Sequence, residues 1–134
     1  MDFFLNNKNV VDRLVKEWKE HGNLIIAFDY DNTVYDYYQK GYSFGDIIQL
    51  LRDCKEFGAF LMVYTACEEE KFPQMINYMN ENKIPFDSIN DLPSYIPFKG
   101  KKLYYNILLD DRAGLNSAYF CLKNALEIMK SERS

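Results

Sequence analysis

Two rhythms of apolar residues alternate along this chain. Between Asn9 and His21, the residues Val10, Val11, Leu14, Val15 and Trp18 recur at helical spacing, with Asn9 available as a cap and Gly22 as a stop. Leu24 to Phe28 is instead a continuous apolar run of strand length that meets charge only at its end, the pattern of a strand buried on both faces of a parallel sheet. A second helix is predicted from about Phe44 to Phe57, with Ile47, Leu51 and Cys54 on one face and Ser43 three residues before Asp46 as a capping signal. Gly58 closes it, and Ala59 to Tyr64 reads as a second buried strand ending at Thr65. Glu68, Glu69 and Glu70 lie where a third helix would begin, which suits the positive end of its dipole, and Phe72, Met75, Ile76 and Met79 supply its buried face. Ile84 to Ile89 is a short third strand, followed by a Pro-containing loop from Asn90 to Pro97. Tyr104 to Leu109 is the fourth strand. The last helix runs from about Asn116 to Lys130, with Leu115, Tyr119, Leu122, Leu126 and Met129 as its packing stripe.

Strands alternating with helices predict an α/β protein, a three-layer α/β/α sandwich around a Rossmann-like parallel sheet of about four strands. With 134 residues and no internal repeat, residues 1–134 are expected to form a single domain with its own core. In such sheets ligands bind beyond the carboxyl ends of the strands. Asp29 and Asp31, Thr65, and Asp110 and Asp111 each stand just past a predicted strand, so three strands should deliver their first polar residues to one edge.

Composition narrows the setting. A formal net charge of −4 argues against broad binding to duplex nucleic acid or to an anionic membrane. Cys54, Cys67 and Cys121 are widely spaced, without a zinc pattern, and read as reduced thiols in or near the core. No segment has the run of about 20 apolar residues that a membrane span needs, and the start of the chain lacks the features of a signal peptide, so a cytoplasmic location is expected.

Carboxylates gathered at one edge repel one another unless a cation neutralises them. Mg²⁺ suits such a set because it prefers oxygen ligands and is usually held by one or two carboxylates together with a substrate phosphate. The single histidine, His21, ends the first helix and is read as a surface residue there. With a cation bound, one Asp can attack phosphorus to form an acyl phosphate while a second carboxylate protonates the leaving oxygen and later activates water. Thr65 can offer its hydroxyl and backbone N–H to phosphate oxygens, and a lysine can add a point charge.

The run Asp29-Tyr-Asp31-Asn-Thr33 after a hydrophobic strand resembles the first motif of the haloacid dehalogenase superfamily; Thr65 after AFLMVY resembles the second; LLDDRAG, with Asp110 and Asp111, resembles the fourth. The likeness spans about Leu24 to Gly114 and is nearest to small phosphatase-like members with little or no cap. It implies that Asp29 is the nucleophile and Asp31 the general acid/base. Asp29, the backbone carbonyl of Asp31, and Asp110 would be Mg²⁺ ligands, with Asp111 supporting them directly or through water. Thr65 would bind phosphate, and Lys102 would be the phosphate-binding lysine of the third motif, with Lys99 and Lys101 as near alternatives. An Asp at the position of Asp31 implies phosphoryl chemistry rather than dehalogenation.

The expectation is therefore a Mg²⁺-dependent phosphatase acting on a small phosphorylated substrate, or on an accessible phosphorylated end. The alternative is a catalytically idle domain of the same fold that binds a phosphate ligand or a protein partner. A phosphorylatable receiver domain also uses acids, Thr and Lys at strand ends, but its paired acids come first in the chain, whereas here they come last. About ten residues separate Val34 from the next helix, too few for a separate cap domain. Tyr35, Tyr37, Tyr38, Tyr42 and Phe44, which fill that stretch, either close the pocket and stack on a base or sugar, or serve packing and a homodimer interface. Arg112 either contacts substrate or orders its loop through an ion pair.

Overall fold

The computed structural model describes residues 1–97 and 100–133. It is a three-layer α/β sandwich of Rossmann-like topology around a four-stranded, all-parallel sheet. In chain order the elements are α1 (Asn7–His21), β1 (Ile25–Phe28), α2 (Gly45–Glu56), β2 (Phe60–Val63), α3 (Phe72–Glu81), β3 (Ser88–Ile89), β4 (Ile107–Leu109) and α4 (Leu115–Arg133). The strand order is β3-β2-β1-β4. The chain therefore leaves β1 toward β2 on one side and returns to β4 on the other, which makes the carboxyl end of β1 a topological switch point.

All four helices contribute buried apolar residues to one cluster with the sheet, in which Ile26, Phe28, Leu61, Val63, Ile107 and Leu109 join Leu14, Trp18, Leu51, Met79 and Leu122. Ile25, Ala27 and Met62 are buried outside that cluster, and described residues of the connection between β3 and β4 line a cavity with Ile25. Tyr105 packs edge-on against Tyr64, while Tyr95 and Tyr104 line that cavity beside Ile25. Asn106 ties this connection to β1. Its buried side chain accepts from the Ile25 N–H at 2.7 Å, and its own N–H donates to the Ile25 carbonyl at 2.8 Å, which fixes the register of β4.

Several boundaries differ from the sequence pattern for identifiable reasons. Asn6, not Asn9, caps α1 by accepting from the Lys8 N–H, while Asn9 turns back to the Phe3 carbonyl. Gly22 ends the helix at φ 68, as a left-handed stop requires. Ser43 does not form a capping box with Asp46, because Phe44 holds the cap position and the Ser43 hydroxyl accepts from the Gly45 N–H instead. The glutamates do not open α3: Glu69 and Glu70 belong to a 3₁₀ turn, Glu69–Lys71, and the α-helix begins behind it with Pro73 in its first turn. Within α3, Ile76 is exposed and Tyr78 takes the inward place beside Met75 and Met79. The third strand shrinks to Ser88–Ile89, because the Asp87 carboxylate rather than a longer ladder accepts the Leu61 N–H.

Candidate functional site

Strand register brings the acids together. Phe28 pairs with Val63 on one side and Leu109 on the other, so the next residues, Asp29, Tyr64 and Asp110, emerge side by side at the carboxyl edge. The Asp29 N–H continues the ladder by donating to the Leu109 carbonyl at 2.9 Å.

Beyond Asp29 the chain curls tightly. The Tyr30 carbonyl accepts from the N–H groups of Val34 and Tyr35, both at 3.1 Å, and Asn32 adopts φ 59 at the apex. Asn tolerates that left-handed conformation better than most residues. Thr33, fully buried, accepts from the Asp111 N–H at 3.3 Å and so links the first acidic loop to the last. Asp110 in turn accepts from the Arg112 N–H at 2.8 Å, which holds the turn ahead of α4.

Asp29, Asp110 and Asp111 can each present a carboxylate oxygen such that all lie within 4.8 Å of one another. Burial, then a hydrogen bond with Asp111, then the charge of Asp110 push the Asp29 carboxyl up to about 7. Asp31 stands outside that trio. Its carboxyl is also raised, by burial and by the charge of Asp111, with the Lys71 ammonium working in the opposite direction. The Cys67 thiol lies 4.0 Å from its Oδ2.

Thr65 opens the loop after β2 on the far wall of the same cavity, which has a volume of about 470 Å³. Its hydroxyl accepts from the Cys67 N–H at 3.1 Å, and its backbone is held by Asn90 from the end of β3. Asp29, Asp31, Thr65, Asp110 and Asp111 thus share one cavity, as the strand ends predict. Lys102 does not line it; Lys102 lies exposed in the segment before β4, as does Lys101, and Lys99 falls outside the described residues. The cation that Asp31 feels is Lys71, at the end of the 3₁₀ turn.

The aromatic stretch divides into two populations. Tyr35 belongs to packing: it stacks on Tyr30 at 5.1 Å, and Tyr78 meets both rings edge-on. Tyr37 and Tyr38 are 57% and 58% exposed and line the acid cavity instead. Asp36 shapes the loop that carries them by accepting from the Gly41 N–H at 2.7 Å. Arg112 orders its turn through its backbone N–H and not through an ion pair; among the described residues its guanidinium has no salt bridge.

The sequence marks Thr33 as the end of the first motif but not its bond to the Asp111 N–H, and it marks neither Asn90 nor Lys71 as a site residue. Thr33 and Asn90 act through hydrogen bonds between distant loops, which leave no local pattern. Lys71 adjoins an acidic run that reads as a solvated helix start, though a lone cation after Glu68-Glu69-Glu70, six residues past Thr65, was a signal available to find it.

No protein-family model matches the chain, and no curated protein matches it. Among solved structures the chain is similar to a conserved protein from Bacteroides thetaiotaomicron, with 22% sequence identity over 76% of this chain and 91% of that one and a TM-score of 0.61. That likeness bears on the fold alone. Among the described residues, no helix is long and apolar enough to cross a membrane.

Proposed function

We propose that the protein is a Mg²⁺-dependent phosphohydrolase that forms an acyl phosphate on Asp29. The observation that carries this reading is the convergence of Asp29, Asp110 and Asp111 in one cavity with Asp31 and Thr65. The donor set fits the ion: it is all oxygen, its carboxylates are close enough to repel, and the upward shift of Asp29 reflects that repulsion together with burial. The buried Oδ1 of Asn32, on the cavity wall, also has no hydrogen-bond partner among the described residues. Asp29, Asp110 and Asp111 would hold the cation, which when bound neutralises this charge and that of a phosphate, favouring ionised Asp29.

The remaining chemistry belongs to the chain. An Asp29 oxygen attacks phosphorus as the bond to the leaving oxygen breaks, and Asp31, kept protonated more readily by its raised pKa, gives that oxygen its proton. Asp31 then takes a proton from water, which attacks the same phosphorus, releasing inorganic phosphate and restoring Asp29. The Thr65 hydroxyl is oriented toward phosphate oxygens by a loop fixed at Asn90, and Lys71 supplies nearby positive charge. Mg²⁺-dependent hydrolysis of p-nitrophenyl phosphate, abolished in Asp29→Asn, is the expected result; equal rates in wild type and variant would remove this reading.

A further inference from the structure

A second cavity, of about 780 Å³, adjoins the acid cavity and shares Asp111 and Arg112 with it. It opens where α2 and α4 begin, between Phe44 and Asp46 on one side and Asn116, Tyr119 and Phe120 on the other. Phe120 is 58% exposed, with its ring edge-on to Tyr119 at 5.0 Å, an aromatic face held open to solvent. The polar groups are mixed: one guanidinium, the carboxylates of Asp46 and Asp111, the Asn116 carboxamide and the Ser43 hydroxyl.

That chemistry selects against two classes of occupant. A second phosphate would meet two carboxylates against one cation, and a purely apolar group would strand the amide, hydroxyl and acids. A neutral ring carrying hydroxyls satisfies both constraints. Its hydroxyls can donate to the carboxylates and exchange hydrogen bonds with Asn116 and Ser43, while its faces lie against aromatic rings. The volume is in the range of small-molecule sites.

Taking the position of the phosphate from the phosphoryl-transfer reading above, we infer that this second cavity receives the leaving group of the substrate and selects a hydroxylated ring, as in a sugar phosphate or a nucleoside monophosphate. Arg112, at the junction of the two cavities, spans the bond between phosphate and ring.

The test is titration of the isotope-labelled protein with adenosine monophosphate, glucose phosphate and glycerol phosphate, followed by amide chemical shifts, beside turnover of the same compounds. The amides of Gly45, Gly114 and Asn116 should shift with one or both ring compounds and not with glycerol phosphate, and Phe120→Ala should weaken that binding about tenfold. The tighter ring compound identifies the source, nucleoside or sugar. Shifts confined to the acid cavity, or equal shifts with glycerol phosphate, would overturn the inference. Ring binding without Asp29-dependent hydrolysis would remove the phosphatase reading and keep the ring site; Asp29-dependent hydrolysis without these shifts would do the reverse.

Discussion

Asn90 grips the backbone of Thr65 from both sides: its carboxamide oxygen accepts from the Thr65 N–H at 2.9 Å while its amide nitrogen donates to the Thr65 carbonyl at 2.8 Å. Both bonds are those a longer β3 would have made, so a side chain completes the sheet where the strand stops. Asn90 itself sits at φ 54, a conformation that Asn accepts more readily than Ala. Asn90→Ala should therefore cost about 1–3 kcal/mol of stability and loosen the loop that presents Thr65. Chemical denaturation measures the first effect. For the second, KM for a phosphomonoester should rise more than kcat falls.

The acid trio makes stability depend on pH with a definite sign. Asp29 has a folded-state pKa raised above its ordinary value of 3.8 to about 7, so its contribution is fully present below the unfolded value and is lost as pH rises through the folded one. Without divalent cation, wild type should lose several degrees of melting temperature relative to Asp29→Asn between about pH 5 and pH 8. Mg²⁺ should restore much of that loss in wild type and little in the variant. Melting curves in chelator and in Mg²⁺ check both statements, and parallel curves for the two proteins would contradict them.

Thr33 joins the two acidic loops without facing the cavity. Thr33→Val keeps the buried shape but deprives the Asp111 N–H of its acceptor, so about 1 kcal/mol of stability should be lost. Mg²⁺ affinity, followed by calorimetric titration, should fall severalfold because Asp111 is no longer held against the first loop.

Lys71 and Lys102 make opposite predictions. Because the Lys71 ammonium lowers the pKa of Asp31, Lys71→Met should raise it further and move the alkaline limb of the pH–rate profile, which follows the general acid, to higher pH. Lys102→Met should leave that limb in place, since Lys71 and not Lys102 is the cation whose charge acts on Asp31. Profiles of kcat/KM for both variants decide between them.

Much of this site was legible in the sequence because strand ends are strong signals. NLIIAFDYD, AFLMVYT and YYNILLDD each pass abruptly from apolar to polar residues, and the parallel register places those transitions in one row. Helical periodicity located all four helices, yet misplaced Ile76, because a stripe read at ideal spacing does not reveal which edge of the stripe meets the core. The connection between β3 and β4 has no periodicity of its own, and its described residues are fixed by single contacts such as Asn106 to Ile25 and Asn23 to the Tyr95 hydroxyl. Neither Lys102 before the fourth strand nor Lys71 after the second lines the cavity, and the charge that acts on Asp31 is that of Lys71.

The most direct test is to trap the acyl phosphate. Wild-type protein turning over a phosphomonoester with Mg²⁺ is quenched, reduced with borohydride, digested and examined by peptide mass. The expected result is reduction of the Asp29 side chain to an alcohol, dependent on substrate and Mg²⁺. Rapid turnover with no modification at Asp29, or with the modification at Asp31, Asp110 or Asp111 instead, would contradict the assignment of Asp29 as nucleophile.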